Sequence, residues 1–520
     1  MTKSTVREVS RGSLYLGLEQ LTSVFGGVLY SIMVLRMLGP STYGVLNLGQ
    51  AAIGLAGALT TNIETYLERF VAELHARGKG GSLRRLVAKV LGLKTVLALI
   101  AGILVALLAD AIAGLYGYRD LRRLLPVLAP LIFLEAASYG LRQTLFGLQR
   151  FRSIWLVALG NNLLKLVLVF ALWSMKEGVV ALVAAIVVVQ IMTVLVQILL
   201  VLRFLPPTSG PADEVPTYRR IWAYVLPLYG GRIFFLSGQH LNRLILGALL
   251  SAHQLGLVSF ALLTIERFIA LAGAVPNALL PALSRLKGEG KDEAIEQVVT
   301  EGYRVVAAVS VVLTIGIFAL AREVTLITGG PEFLPALIPL QVLALVPLFR
   351  TMQQPLNMGF YTYERTHVVF WLALLKFVVE PALYPLLIPK FGIAGVAAAS
   401  LLSSVAVFGP SLRIAGRMFP RTAAVRSRVT WRAWGVAAPV LLLGATMHRL
   451  AEPWPGLAAR AVLVLLGIAL TLRFGGMVAG DDLRRLAETT MRPGIRRGLD
   501  ASAAWLDRAQ GRRAPASRSA

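Results

Sequence analysis

The chain contains no cysteine, and that one absence removes several chemistries at once. Disulfides, thiolate zinc sites, iron–sulfur clusters and thiol nucleophiles all need a sulfur that none of the 520 residues supplies. Histidine is nearly as scarce. His75, His240, His253, His367 and His448 stand far apart and form no metal-ligand spacing. Charged residues make up only 15% of the chain, against ~25% in an average soluble domain. A phosphate-cradling loop is missing too: RGKGGS (77–82) and GEGKDE (288–293) carry Gly-Lys without the spacing or the hydroxyl residue of a P-loop. No G-x-S-x-G elbow or H-E-x-x-H zinc pair occurs. The loops are also too short for the polar domain that a membrane glycosyltransferase uses to hold a donor sugar. The reading is therefore a protein that is not an enzyme and carries no cofactor.

What is present is apolar. Hydrophobic residues are 56% of the chain, and the mean hydropathy is +0.70. Runs of about 20 apolar residues recur along most of the length, enough to cross a bilayer as helices. Barrel strands would show short alternating segments instead, and these are absent. The expected fold is an all-α polytopic membrane protein. Spans are expected at about 12–36, 43–68, 90–115, 124–147, 153–174, 178–203, 221–249, 255–282, 303–325, 335–359, 367–389, 391–412, 432–449 and 456–474, or about fourteen transmembrane helices. The N-terminus has no A-x-A-like cleavage site before the first span, so that span reads as a retained helix.

The formal net charge is +25. Nucleic acid is not the implied partner, because the basic residues collect in alternate loops at roughly two to one over the other set. The positive-inside rule places those loops, and both termini, on the cytoplasmic side of a cytoplasmic (inner) membrane, against anionic inner-leaflet lipids. The basic tail 475–520, with Trp505, suits the same surface.

PPTSGPADEVPTY (206–218) is the clearest linker, and the sequence restarts after it. LGPSTYGVLNLGQAAIGLAGAL (38–59) parallels LLSAHQLGLVSFALLTIERFIALAG (249–273), with Gly44 aligned on Gly256. QTLFGLQRF (143–151) parallels PLNMGFYTY (355–363), with Gly147 aligned on Gly359. Both pairs share an offset of 212. Lys165 and Lys376 pair at nearly that offset. Six spans is an even number, so the second copy enters the membrane in the same direction as the first, which is a parallel repeat. The expected domains are an N-lobe at 1–205, a cytoplasmic linker at 206–220, a C-lobe at 221–414, extra spans at 415–474 and the tail at 475–520. Two six-helix lobes of this kind imply a central cavity and alternating access.

Ionisable residues inside the spans are the candidate functional groups, since each is costly in lipid. The basic set is Lys165, Arg232, Arg243, Arg267, Arg350 and Lys376, and Arg142 lies nearer the cytoplasmic end of its span. The acidic set is Glu19, Glu64, Glu68, Glu135, Glu266 and Glu380. Lys376 and Glu380 are one turn apart and can satisfy each other. Glu266 and Arg267 are consecutive, point about 100° apart and need different partners. In YGGRIFFLSGQHLNRLILG (229–247), Arg232 and Arg243 return to one helical stripe that carries no acid. Arginine suits bidentate contact with phosphate. The six cations read as an electropositive chamber for an anionic head group. Glu64, Glu135, Glu266 and Glu380 are the candidates for carrying a coupling ion.

RMLGPSTYGVLNLGQAAIGLAGAL followed by ERFVAELHARGK, with LGLVSFALLTIERFIALAGAVPNALLPALSRL in the second half, resembles the polysaccharide-biosynthesis exporters of the multidrug/oligosaccharidyl-lipid/polysaccharide superfamily. The resemblance runs over nearly the whole chain, the last two spans included. It implies two six-helix lobes as in multidrug exporters of that superfamily. It also implies a cargo of undecaprenyl-pyrophosphate-linked oligosaccharide, moved from the cytoplasmic to the outer leaflet for surface polysaccharide such as O-antigen. A polysaccharide polymerase or glycosyltransferases are the implied protein partners. The cavity cations would meet pyrophosphate or acidic sugars. Many relatives carry an acid where this chain has Asn242-Arg243. The lipid II flippase branch carries arginines early in span one, where this chain reads LGLEQLTSVFGG. An ion-coupled exporter of small molecules and a lipid II flippase are the alternative readings.

Overall fold

The computed structural model describes residues 3–58, 60, 63–78, 80–206, 218–219, 238–450 and 453–474. Arg232, the tail 475–520 and most of the expected linker lie outside them. The described residues form helices and turns and no strand. They divide into two compact units. One runs to Ser259 and takes in Ile327–Phe333; the other holds Phe260–Leu326 and the chain from Leu334 onward.

The first unit opens with α1 (Lys3–Ala58). At 1.5 Å per residue, 56 residues would extend ~84 Å, far more than the ~30 Å hydrocarbon core. The helix is broken at Gly39, whose φ of 66° and ψ of 174° are not helical. Glycine tolerates that conformation, and Pro40 after it has no N–H to donate backward. One continuous apolar run thus holds two spans. Then come α2 (Thr65–Ala76) and α3 (Gly80–Leu107). The latter starts ten residues before the expected span, because Leu83, Leu86 and Val90 are buried while Arg84, Arg85 and Lys89 keep the segment polar on average. After α4 (Ala109–Tyr116), Gly117 ends the helix in the left-handed region at φ 72°. The remaining helices are α5 (Arg119–Leu128), α6 (Pro130–Gly147), α7 (Phe151–Ser174), α8 (Val179–Phe204) and α9 (238–249). A core of Ile63, Leu67, Val71, Leu86, Val90, Leu141, Leu145 and Val201 joins α2, α3, α6 and α8. Tyr118 donates its hydroxyl to the Leu250 carbonyl at 2.5 Å, serving one of the orphan acceptors at the end of α9. Burial holds that phenol above the usual tyrosine range.

The helix α10 (Ala252–Ala272) begins in the first unit, and its start meets the Gly39 break of α1. A Cβ on Gly44 would fall 2.0 Å from the Ala252 carbonyl oxygen, and one on Gly256 would fall 1.8 Å from the Pro40 carbonyl oxygen. Ser41 Oγ and His253 Nδ1 are 3.3 Å apart. Each of these partners is its counterpart shifted by 212, the offset of the repeat (Pro40 and Ala252, Ser41 and His253, Gly44 and Gly256). The repeated segments therefore touch reciprocally, as the two sides of an isologous interface do.

The second unit continues with α11 (Ala274–Gly288), α12 (Asp292–Ala319), α13 (Ala321–Thr328), a 3-10 turn at Pro331–Ala336, α14 (Leu337–Leu343) and α15 (Pro347–Thr362). It ends with α16 (Thr366–Phe391), α17 (Ile393–Met418), α18 (Ala423–Leu450) and α19 (Pro453–Phe474). Like α3, α12 starts well before its expected span, since Ile295, Val299 and Tyr303 are fully buried on one face of a charged segment. Tyr303, Met352, Phe360, Phe408 and Ala433 belong to one core. Arg426, fully buried, donates to the carbonyls of Ala415 (3.1 Å) and Phe419 (2.6 Å) and to Thr300 Oγ1 (3.0 Å). It satisfies the last turn of α17 and ties α18 to α12. Arg460 of α19 pairs with Glu323 of α13 at 3.0 Å.

Among the described residues, eight helices are long and apolar enough to cross a membrane, or nine if the pair Pro331–Leu343 and Pro347–Thr362, bent by 49°, is one span. Leu14–Ala58 counts once in that number although it holds two segments. The chain is a multi-pass α-helical membrane protein.

Candidate functional site

Two polar cavities lie within the first unit. The larger, about 540 Å³, is enclosed by one stripe from each of four helices. On α7 the lining residues are Ile154, Val157, Ala158, Asn161, Asn162 and Lys165, a spacing of three and four that keeps one helical face. On α6 they are Glu135, Ser138, Tyr139, Arg142 and Leu145. Gln190, Thr193 and Gln197 come from α8, and Glu19 and Ser23 from α1. The smaller cavity, about 450 Å³, is lined by Tyr30, Gln50, Glu64, Lys94 and His240, among others. Glu135, Tyr139 and Lys165 line both, so they form the wall between the two spaces.

The charges here come as pairs. Arg142 grips Glu19 with two parallel hydrogen bonds, Nε to Oε1 at 2.9 Å and a terminal nitrogen to Oε2 at 2.8 Å. This fork geometry orients both groups. Lys94, 2% exposed, donates to Glu64 from α3 across to the start of α2. Glu135 and Lys165 interact electrostatically across the cavity wall. Asn161 Nδ2 donates to Thr193 Oγ1 at 2.7 Å, fixing α7 against α8. Among the described residues, the Oε1 of buried Gln197 has no hydrogen-bond partner. His240 on α9 sits against the α1 backbone, where a Cβ on Gly54 would come within 2.2 Å of its ring.

The second unit has a comparable cluster. Arg350 of α15 donates to Glu266 of α10. Lys376 and Glu380, a turn apart on α16, bond to each other. Ser403 Oγ of α17 donates to Glu380 at 3.3 Å, and Arg350 also feels the Glu380 charge.

The expected electropositive chamber is thus altered. Lys165, Arg350 and Lys376 each face an acid, and those acids are Glu135, Glu266 and Glu380 of the coupling set. Arg243 lies one turn from His240 on α9 and interacts with it electrostatically. Arg267 is half-buried on α10. The stripe shared by Arg232 and Arg243 cannot be followed, because Arg232 lies outside the described residues. Sequence reasoning missed Lys94 and the amide wall of Asn161, Asn162 and Gln197. The signal was available: polar residues at three- and four-residue spacing interrupt the apolar runs of α7 and α8.

Residues 32–338 match the family described as polysaccharide biosynthesis protein, and the chain belongs to that family. No curated protein sequence matches it. Among solved structures, it is similar to the lipid II flippase MurJ in an inward closed conformation, with TM-score 0.70 and 14% identity over 91% of this chain and 100% of that one. It is also similar to an inward-facing multidrug resistance MATE family transporter of the MOP superfamily, with TM-score 0.61 and 14% identity over 78% and 98%. A third similarity is to the MATE multidrug transporter DinF-BH, with TM-score 0.56 and 15% identity over 79% and 96%. At these identities the likeness establishes the fold.

Proposed function

We propose that this protein is a flippase for an undecaprenyl-pyrophosphate-linked oligosaccharide, moving it from the cytoplasmic to the outer leaflet of the inner membrane by alternating access and catalysing no covalent step. The observation that carries the reading is a polar, ion-paired cavity inside apolar helices of a polysaccharide biosynthesis family member. Fold similarity to a protein described as a lipid II flippase supports a lipid-linked cargo. Both termini and the basic loops lie on the cytoplasmic face in this reading, against anionic lipids.

The pairs suggest the mechanism. Pyrophosphate is a stronger partner for Arg and Lys than a carboxylate, because it offers more acceptor oxygens and charge. Within the second unit Arg350 or Lys376 would exchange an acid for it, and Arg232, Arg243 and Arg267 are the further candidate contacts. A carboxylate left without its cation in a low-dielectric site takes up a proton or a metal cation. Glu266 and Glu380 are then coupling groups, with Glu64 and Glu135 the further candidates, and cargo entry draws in the ion.

The test is lipid analysis of a deletion strain with the leaflet of any intermediate determined. Undecaprenyl-linked oligosaccharide should accumulate facing the cytoplasm, relieved by wild type and not by Arg243→Ala/Arg267→Ala or Glu135→Gln at equal expression. Normal leaflet distribution and intact surface glycan in the deletion strain would sink the reading. Fold similarity to multidrug transporters favours an ion-coupled exporter as the second reading. The described ion pairs balance, however, and leave no excess of acid for a cationic drug.

A further inference from the structure

The larger cavity differs in chemistry from the site a pyrophosphate requires. Its two cations are Arg142 and Lys165, and both are already opposed by Glu19 and Glu135 within the same walls. An anion entering this space would meet two carboxylates as well as two cations, and its own charge would be left uncompensated. The rest of the polar lining is uncharged. Asn161 and Asn162 already donate to Thr193 Oγ1 and to the Ala158 carbonyl, and Thr193 to the Val189 carbonyl. This leaves the carbonyl oxygens of Asn161 and Asn162, with Gln190, Gln197 and Ser138, to meet a ligand.

Two details point to a ligand. Gln197 is 4% exposed, yet its carbonyl oxygen has no hydrogen-bond partner among the described residues, and it lines the cavity. A buried acceptor left alone costs about 1–3 kcal/mol, so a donor supplied by a ligand is favoured. Tyr139 is 58% exposed and forms part of the wall of both cavities. Lys94 Nζ lies 5.9 Å over the Tyr139 ring, and the exposed remainder of that ring beside the amides matches a pyranose, whose C–H face is apolar and whose edge is a ring of hydroxyls. The volume of about 540 Å³ falls in the ~300–1,000 Å³ range of small-ligand sites.

We infer that this cavity is a subsite for the uncharged, hydroxyl-rich sugars of the cargo, selecting neutral hexose or N-acetylhexosamine units over uronic acids. The inference rests on the flippase reading and names the glycan class that its first unit accepts. The pyrophosphate is held elsewhere, at cations not committed to this cavity. A site built to hydrogen-bond hydroxyls rejects ligands that lack them, since its own polar groups are then left unpaired.

The experiment measures affinity of the purified full chain in nanodiscs, by native mass spectrometry, for three probes. These are bare undecaprenyl pyrophosphate, the same lipid bearing a neutral N-acetylhexosamine disaccharide, and the same lipid bearing a disaccharide with one uronic acid. The neutral glycolipid should bind wild type about tenfold tighter than the bare lipid, equivalent to ~1.4 kcal/mol, and tighter than the uronic one. Gln197→Leu and Asn161→Ala should bring the neutral-to-bare ratio close to one. Equal affinity of wild type for the neutral and bare lipids, or preference for the uronic probe, overturns the inference and leaves the flippase reading standing. The wild-type comparison needs no variant to fold. If wild type binds none of the three lipids, the proposed function itself fails.

Discussion

At the scale of single residues, the clearest commitment is the buried Lys94–Glu64 pair. Lys94 is 2% exposed and Glu64 is 9% exposed, so removing Lys94 leaves the Glu64 carboxylate buried without the ammonium that faces it. Lys94→Met should therefore cost about 3–5 kcal/mol, while Lys94→Met/Glu64→Gln should recover most of it. Thermal unfolding in one detergent would check this; a double variant as unstable as the single one would contradict it. The pairs also show what a sequence can disclose about partners. Lys376 and Glu380 share a helix at a spacing of four, so their bond follows from helical geometry alone. Arg142 and Glu19 are 123 residues apart, and Arg350 and Glu266 are 84 apart. Nothing local links them, and only packing of their helices makes each acid the answer to each cation. That is why cations that look like an open chamber in the sequence come to lie opposite carboxylates.

At the scale of elements, hydropathy located the helices well where they are apolar from end to end. The expected 153–174 and 178–203 became Phe151–Ser174 and Val179–Phe204. It failed where a helix leaves the apolar layer and stays buried on one face. In α3 and α12 the first ten or so residues carry charges on one side and Leu, Ile or Val on the other, so averaging erased a helix that amphipathic spacing records. The close approach of α1 and α10 is an element-scale property with its own prediction. Gly44→Ala places a methyl about 2.0 Å from a carbonyl oxygen, so the helices must part, at a cost of about 1–3 kcal/mol. Gly256→Ala removes the same contact from the other side. The double variant should therefore cost less than the sum of the singles, because helices already parted by one methyl have room for the second. Strict additivity in melting experiments would argue that the two glycines do not share one contact.

At the scale of the whole molecule, orientation is the property most open to direct measurement. The lack of native cysteine makes every introduced thiol the sole target of a maleimide. The helix α7 is 24 residues long, or ~36 Å, so its ends belong on opposite faces. Glu177→Cys should react with a membrane-impermeant maleimide on intact cells, and Arg150→Cys only after permeabilisation. The reverse pattern would invert the topology read from loop charge. The all-helical membrane class was legible from hydropathy, and the contact of Gly44 with the Gly256 segment falls on one of the two glycine pairs at the 212-residue offset. The cavity's chemistry was less legible, because it depends on which stripes of four helices face each other.

The reciprocal contact at Gly44 and Gly256 also carries a record of ancestry. If the repeat arose by joining two copies of one gene, residues 40–44 once met the same residues of a second, identical chain. A single codon then supplied the glycine on both sides of the crossing, and any change to it struck both sides together. Fusion divided that codon into two that drift separately. In that case two codons now carry what one did, and a substitution at either is enough to force the same two backbones apart.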